Sequence, residues 1–479
     1  MILLLSGIAL LVVITIVALF LFDIIGGGKR IEELEKSIAV LPFHYYNMDP
    51  EAEDIGDAFS NEIITQLCKI RGFDRIISHT STLRYKGPDI PPSIPVIGDE
   101  LDANFIIEGS LERQDEDVSI QVQIVRAASD DHIWAEEFKG KWRDIFEIRA
   151  AIAKNVAYEL KTILSADEIE QIEKKPADNL EAYDFYLLGN QYSQQDTEED
   201  NLKAIEFYAS AIKLDPEFAL AYVGMGATYR RLFFYANWLP EEDYEKSREA
   251  LLKALKINDQ LAEAHASLAF IKYEYNWDFE AAERELIKAI EFNPNLAIAY
   301  AQYGDLLSLT GHGLDGHQNF KKALMLDPKS TRLKVYFGYS YYLAGQVDSA
   351  INHLHQIIQE YPDIESSYRF LGFIYLSTPE YQKAIPLLER VVEISSINPM
   401  ALLSLGIAYA RTGMTNKTRE LLDLFDALEN ESTSVSFPRA GFLTGYELEG
   451  GLLFSIFKLS SLFRVLKFQY FEFFNSIIA

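Results

Sequence analysis

The chain has 479 residues and a formal net charge of −28, with 72 acidic residues against 44 basic ones. Binding to nucleic-acid phosphates needs a basic surface, so this composition argues against DNA or RNA as the main partner. The length allows two or three domains. Cys68 is the single cysteine, so no disulfide can form within the chain.

The chain opens with an almost continuous apolar run at residues 2–22, and its first charged residue is Asp23. About 20 helical residues span roughly 30 Å, the thickness of a bilayer core. A cleaved signal peptide is the alternative, but the run has no basic start and no clear cleavage site follows. We therefore predict an uncleaved transmembrane anchor at 1–25 and a glycine-rich linker at 26–36.

Residues 37–164 predict a small α/β domain. An apolar strand is expected at 37–43, and apolar residues at helical spacing predict a helix from Ile55 to Ile70. The remaining elements are a strand at 75–78, a helical turn at 96–101, strands at 104–110, 118–125 and 132–138, and a helix at 144–164. Asp144 is the expected cap of that last helix.

A connector at 165–181 leads to a repeat at 182–430, in which a small residue recurs every 34 positions at Gly304, Gly338, Gly372 and Gly406. Asn293-Pro294 and Asp327-Pro328 keep the same step. Proline cannot continue a helix, so each pair marks a helix end. The pattern resembles the tetratricopeptide (TPR) repeat, a 34-residue helix–turn–helix, and predicts about seven helix pairs stacked as an α-solenoid. The fold class is therefore mainly α, with the transmembrane helix and the α/β domain before the solenoid.

Short segments of the α/β domain resemble a known family. Ser37–Phe43, Ile107–Leu111, Ile133–Glu137 and Asp144–Phe146 are similar to the TolB-N-terminal-like (FlgO-like) domain, which precedes TPR arrays in bacterial membrane regulators. The resemblance covers residues 37–430. In that family a CadC-like winged helix, a class III adenylate cyclase or a protein kinase precedes the membrane helix. It implies that any effector of this chain lies upstream or on another chain.

Two signals for the membrane orientation disagree. Lys29 and Arg30 follow the apolar run, which by the positive-inside rule favours a cytoplasmic body. The family resemblance implies a TPR part outside the cytoplasm. We follow the family and predict a single-pass protein of the inner (plasma) membrane with an extracytoplasmic soluble part.

The tail at 431–479 departs from the repeat and is rich in Phe, Leu and Ile after Leu452. Three interpretations stay open: a helix that caps the solenoid, a basic amphipathic helix on a membrane, and a frame-shifted or degraded end.

The common catalytic motifs GxSxG, HExxH, GxxxxGK[ST] and paired CxxC do not occur in the sequence. We predict no enzyme, no catalytic residue, no cofactor and no metal site. His312 and His317 are interpreted as turn residues, and Ser78–Ser81, which includes His79, as polar residues at a strand end. A hydrolase within residues 37–164 is the alternative, and it would need Ser, His and carboxylate groups that converge.

The favoured function is a membrane-anchored TPR protein for protein–protein interaction or assembly; its oligomeric state is left open. The alternative is the sensory or regulatory half of a signalling system.

The first helix of each TPR is expected to line a groove that binds protein or peptide segments. The residues that point into this groove lie at offsets −3, +1 and +4 from the small residue of that helix. The predicted groove residues are Tyr186, Asn190, Arg230, Phe270, Tyr273, Asp305, Tyr339, Tyr342, Arg369 and Phe373. The alternative for these side chains is that they pack on one another as core.

Overall fold

The computed structural model describes residues 34–46, 55–86, 92–194, 197–236, 241–395 and 399–431. The predicted anchor at 2–22 and the tail from residue 432 lie outside the described residues. None of the described helices is both long enough and apolar enough to cross a membrane. The chain divides into two compact units, residues 1–194 with 210–218 and residues 195–209 with 219–479.

The first unit contains a mixed sheet. Its strands are β1 (Ser37–Val40), β2 (His44–Tyr46), β3 (Arg75–Ile76), β4 (Phe105–Gln114), β5 (Asp117–Arg126) and β6 (Asp131–Lys141). Strand β1 lies between β3 and β4 and is parallel to both, and β2 also pairs with β4 in parallel. Strands β5 and β6 continue the sheet in antiparallel pairs, so β6 is an edge strand. The short apolar β1 is fully buried, as expected of a strand covered on both faces.

Helices cover this sheet and close the first unit. They are α1 (Ile55–Leu67), α2 (His79–Thr82), α3 (Ile94–Leu101), α4 (Ile145–Glu159), α5 (Ala166–Glu173) and α6 (Leu180–Gln194). Single 3-10 turns occur at Leu83–Tyr85 and Trp142–Asp144. Asp144 occupies the expected N-cap position of α4, but its side chain makes no cap bond to the helix and instead accepts the Lys141 backbone N–H at 3.1 Å.

Helix α6 packs against α1 in the first unit. The salt bridge between Arg149 and Glu62 joins α4 to α1, with both side chains at most 2% exposed. Tyr186 on α6 donates its hydroxyl to the same Glu62 carboxylate at 3.4 Å. A buried charged pair with an aromatic partner therefore holds the first helix expected of the repeat against the α/β elements.

The second unit is a helical array. Residues 198–209 of helix α7 (Glu198–Leu214) belong to this unit, and the rest of the helix is assigned to the first unit. The array continues with α8 (Ala219–Ala236), α9 (Glu241–Ile257), α10 (Ala262–Ile271), α11 (Phe279–Phe292), α12 (Ala297–Leu309), α13 (Gly313–Leu326), α14 (Thr331–Leu343), α15 (Val347–Glu360), α16 (Glu365–Ser377), α17 (Tyr381–Ile394), α18 (Pro399–Arg411) and α19 (Thr415–Glu431). A π-helical segment, Lys272–Asn276, follows α10. The mainly helical fold with a small sheet agrees with these two parts of the predicted fold class, whereas the predicted transmembrane helix lies outside the described residues.

Three of the recurring glycines, Gly304, Gly338 and Gly372, lie where the two helices of a pair touch. A Cβ atom on Gly372 would lie 2.8 Å from Cδ2 of Leu388, and one on Gly338 would lie 2.6 Å from Cδ2 of His353. Real Cβ atoms do not approach side chains this closely, so only glycine allows this helix spacing without rearrangement. The 34-residue period therefore reflects a repeated helix contact.

Candidate functional site

Five first helices of the pairs in the second unit are α8, α10, α12, α14 and α16. Each contacts the next first helix, and these contacts are more extensive than those between successive second helices. Closer spacing on one side means that the stack curves toward the first helices. We call the side chains that these five helices bring together the A face.

One half of the A face combines an arginine, aromatic rings and carboxylates. The guanidinium carbon of Arg230 lies 5.0 Å from the centroid of the Phe270 ring. Phe270 meets Tyr273 edge to face at 5.5 Å. The Tyr273 hydroxyl donates to Asp305 Oδ2 at 3.4 Å, which joins α12 to the residues after α10. Glu274 lies beside this group.

The other half of the A face is an aromatic stack. Tyr339 stacks on Phe370 at 4.3 Å, with an angle of 13° between the rings, and on Tyr342 at 5.6 Å. The Arg369 guanidinium carbon lies over Phe370 at 4.7 Å and over Phe373 at 5.9 Å. The same guanidinium donates to Glu365 Oε1 at 3.0 Å within α16.

Among the described residues, the ionisable groups in the first half of the A face form no ion pairs. Burial, and then the charge of Asp305, raises the pKa of Glu274 to about 8. Burial raises the pKa of Asp305 to about 6, although the hydrogen bond from Tyr273 acts to lower it. Burial, followed by the charges of Arg332 and Arg231, lowers the pKa of Arg230 to about 9. Among the described residues, neither carboxylate forms an ion pair, and the Arg230 Nε is buried without a hydrogen-bond acceptor.

The ten predicted groove residues fall into different environments. Tyr186 and Asn190 lie on α6 in the first unit, where Tyr186 is buried in the contact with Glu62. Tyr273, Tyr339 and Phe373 are buried in the second unit, so they form the support of the A face. Arg230, Phe270, Asp305, Tyr342 and Arg369 are half-buried. Their role in binding stays a prediction.

The predicted offsets −3, +1 and +4 did not include three residues of the A face, namely Tyr336, Phe370 and Glu274. Tyr336 meets Phe370 at 5.4 Å, and both residues lie two positions before a recurring glycine, an offset that the rule did not include. Glu274 lies in the π-helical segment, where the regular helical offsets no longer apply. The repeated aromatic residue at offset −2 in two successive repeats was the available signal.

The other candidate side chains in the described part of the chain do not assemble a catalytic or metal site. His317 is buried, with Nδ1 2.8 Å from Ser340 Oγ and its ring stacked on Phe337. Ser78 Oγ lies 2.8 Å from Thr80 Oγ1, and no described bond joins it to His79. Burial, and then the charge of Lys86, lowers the pKa of His79 to about 4. Across the described ranges, no group of three or more His, Cys, Asp or Glu residues is placed to hold a metal ion.

Sequence comparison identifies the class of repeat. The tetratricopeptide repeat family matches residues 335–363, which contain most of α14 and α15. The match confirms the TPR prediction for this part of the chain. The TolB-like assignment of residues 37–164 stays a prediction.

One curated protein is similar to part of the chain. Putative adenylate cyclase 3 of Rhizobium meliloti (strain 1021) is 30% identical over 189 residues, which are 40% of this chain and 32% of that protein. The chain therefore spans about a third of the length of this relative.

Solved structures of TPR proteins are also similar to the chain. A TPR protein from Parabacteroides merdae ATCC 43184 is 15% identical, with a TM-score of 0.42 over 56% of this chain and 99% of its own. PilF of Pseudomonas aeruginosa is 19% identical, with a TM-score of 0.34 over 47% and 95%. YrrB, described as a TPR protein with an unusual peptide-binding site, is 18% identical, with a TM-score of 0.29 over 41% and 95%.

Proposed function

We propose that the chain is a non-enzymatic interaction protein that holds a protein segment on the A face. The observation that carries the proposal is the group formed by Arg230, Glu274 and Asp305, which the array brings together without ion pairs among the described residues. Placing such groups away from water is costly unless a partner supplies hydrogen bonds or opposite charge. A bound segment would supply them.

The aromatic half of the A face suits the same task. Tyr and Arg dominate the binding energy of protein interfaces because they bury a large area and still form hydrogen bonds. Tyr342 and Arg369 are half-buried, so they have accessible surface, while Tyr339 and Phe373 hold them in place from below. We expect Tyr342 and Arg369 to contact the partner directly. The membrane anchor at 2–22 would then keep the captured partner at the bilayer.

Site-specific photo-crosslinking tests this proposal in cells. A photoreactive phenylalanine at Tyr342 should give a crosslink to a discrete partner protein. The same residue at Leu314 on the second helix α13, which is 63% exposed, serves as the matched control and should not. Asp305→Asn should reduce the Tyr342 crosslink without a change in circular dichroism. Equal crosslinking from both positions, or none from Tyr342, would contradict the assignment of the A face.

A second candidate is the regulatory half of a signalling system. The identity with a protein named as a putative adenylate cyclase supports it, over less than half of each chain. On this proposal the captured segment belongs to an effector on another chain or upstream. Co-expression with the cyclase, kinase or winged-helix protein encoded next to it tests the proposal, because the effector output should change when Tyr342 and Arg369 are replaced by Ala. An unchanged output would remove this candidate.

A further inference from the structure

Three arginines of the first helices have no acidic partner in the described part of the chain. Arg230 and Arg231 lie on α8, and Arg332 lies at the start of α14. Arg332 is exposed, and the Nε atoms of Arg230 and Arg231 are buried without a hydrogen-bond acceptor. Arg231 Nη2 donates to Thr228 Oγ1 at 3.4 Å, a bond within α8. Among the described residues, none of the three guanidiniums forms an ion pair, although the chain has a net charge of −28.

The three side chains converge on the side toward which the stack curves. In the order of the first helices, α10 and α12 separate α8 from α14. Burial, then the charge of Arg332 and then that of Arg231 lower the pKa of Arg230, so Arg332 reaches toward Arg230 across the curve of the stack. Burial also raises the pKa of Tyr336, and the charges of Arg369 and Arg332 oppose this shift. We call Arg230, Arg231 and Arg332 the arginine cluster.

The carboxyl groups of this half of the A face do not balance the arginine cluster. Asp305 and Glu274 are the two that the structure describes there, so even with both ionised, one of the three positive charges is left over. At neutral pH the surplus is larger, because burial raises the pKa of Glu274 to about 8 and this group is then mostly protonated. Arg369 adds nothing to the surplus, since it pairs with Glu365 at 3.0 Å.

A carboxylate is the ligand group that suits this arrangement. A guanidinium presents its N–H donors in a planar fork that matches the two oxygens of a carboxylate. Buried donors without an acceptor, such as the two Nε atoms of the arginine cluster, cost free energy that a bound acceptor recovers. Charge and hydrogen bonding therefore favour the same partner group.

We propose that the arginine cluster binds an acidic side chain, aspartate or glutamate, within the protein segment held on the A face. The inference rests on the proposed function and adds the chemistry of the partner. A segment that also reaches Tyr342 and Arg369 continues past the cluster along the stack, so the carboxylate belongs to an internal residue and not to a chain end. Asp305 accepts a backbone N–H of the same segment.

Calorimetric titration of the full chain in nanodiscs with capped hexapeptides tests the charge preference. The first peptide carries one central glutamate among alanine, leucine and tyrosine residues, and two others carry glutamine or lysine instead. The glutamate peptide should bind, and the glutamine peptide should bind about tenfold more weakly or less, because the charge-assisted hydrogen bonds are lost. The lysine peptide should not bind. No binding of the glutamate peptide, or equal affinity for the glutamate and glutamine peptides, would overturn the proposal.

A fourth peptide distinguishes a side-chain carboxylate from the end of a chain. It carries the central glutamine and a free C-terminal carboxylate, so its single negative charge lies at the terminus. This peptide should bind more weakly than the glutamate peptide. Tighter binding of the fourth peptide would assign the arginine cluster to a chain end and would contradict the proposal.

Variants then assign the charge preference to the arginine cluster. Arg332→Gln should weaken binding of the glutamate peptide by about two- to fivefold, as expected for an exposed ion pair. Arg284→Gln on the second helix α11, also an exposed arginine, is the matched control and should not. Arg332→Glu should make the lysine peptide bind better than the glutamate peptide, a gain that no folding defect produces. The same reversal in Arg284→Glu, or none in Arg332→Glu, would show that the cluster does not read the charge.

The crosslink from Tyr342 separates this inference from the proposed function. A discrete crosslinked partner, together with peptides that bind without a charge preference, would keep the function of the A face and remove the acidic side chain. A missing crosslink would remove the proposed function and this inference with it.

Discussion

The buried ion pair of the first unit allows a quantitative prediction. Arg149→Met removes the guanidinium but keeps an apolar side chain of similar length between α1 and α4. The Glu62 carboxylate, which is 1% exposed, then loses its charged partner and, among the described residues, keeps the Tyr186 hydroxyl at 3.4 Å. Breaking a buried pair from one side costs about 3–5 kcal/mol. Loss of the contact between Arg149 and the Phe146 ring, at 5.6 Å, adds about 0.5–1 kcal/mol.

Hydrogen exchange measured by mass spectrometry is the suitable assay, since a chain with two compact units need not unfold in a single step. Peptides from α1, α4 and α6 should exchange faster in Arg149→Met, while peptides from α12 to α17 should not change. Lys154→Met on the same helix is the control, because its exposed pair with Glu173 at 2.7 Å contributes about 0–1 kcal/mol. The double variant Glu62→Leu with Arg149→Met should recover part of the loss, since no unpaired charge remains. If Arg149→Met and Lys154→Met had equal effects, the reasoning about the buried pair would be refuted.

The remaining predictions concern the array and the membrane. Gly338→Leu or Gly372→Leu should overpack the contact with the paired helix and lower the unfolding free energy by about 1–3 kcal/mol, so unchanged thermal melting of both would contradict the helix contact. Burial raises the pKa of Glu274 in the folded state to about 8. As pH rises, Glu274 therefore ionises first in the unfolded state, and the free energy of unfolding of the second unit should fall between about pH 5 and 8. Urea titrations should show a flatter pH profile for Glu274→Gln, and a profile identical to the wild type would exclude this group as the cause. An epitope near Glu198 should be digested by protease added to spheroplasts, and protection until lysis would reverse the predicted orientation.

The repeat could be predicted from the sequence because its period reflects a steric requirement. Gly338 and Gly372 recur where a side chain would collide with the paired helix, so spacing alone locates the helix pairs. The strands β4, β5 and β6 were also expected, since β5 alternates between buried and exposed residues. The three-residue strand β2 was not expected, because its pairing with β4 depends on tertiary contacts that a short segment does not encode.

The A face was harder to predict than the helices. Periodicity places Tyr273 and Tyr339 on the first helices but does not say whether a ring is covered, and both are buried. Tyr186 also lies at one of the three predicted offsets, yet its hydroxyl contacts Glu62 of the α/β elements, which no property of the repeat indicates. The π-helical segment after α10 shifts the register by local hydrogen bonding, so Glu274 falls outside every regular offset. Sequence patterns thus indicate which helix contributes, while burial and pairing follow from contacts between helices.

The edge strand β6 has a consequence for solubility. Among the described strands it pairs with β5 alone, which leaves eleven residues along one border of the sheet. A bare edge of this length is a template on which another chain can add a strand and begin an aggregate. Glu136, Glu137 and Lys139 are exposed along it, and a second strand laid there would force charged groups together and strip their water. These three side chains add little to the free energy of folding, yet they oppose edge-to-edge pairing and so raise the concentration up to which the protein remains dispersed.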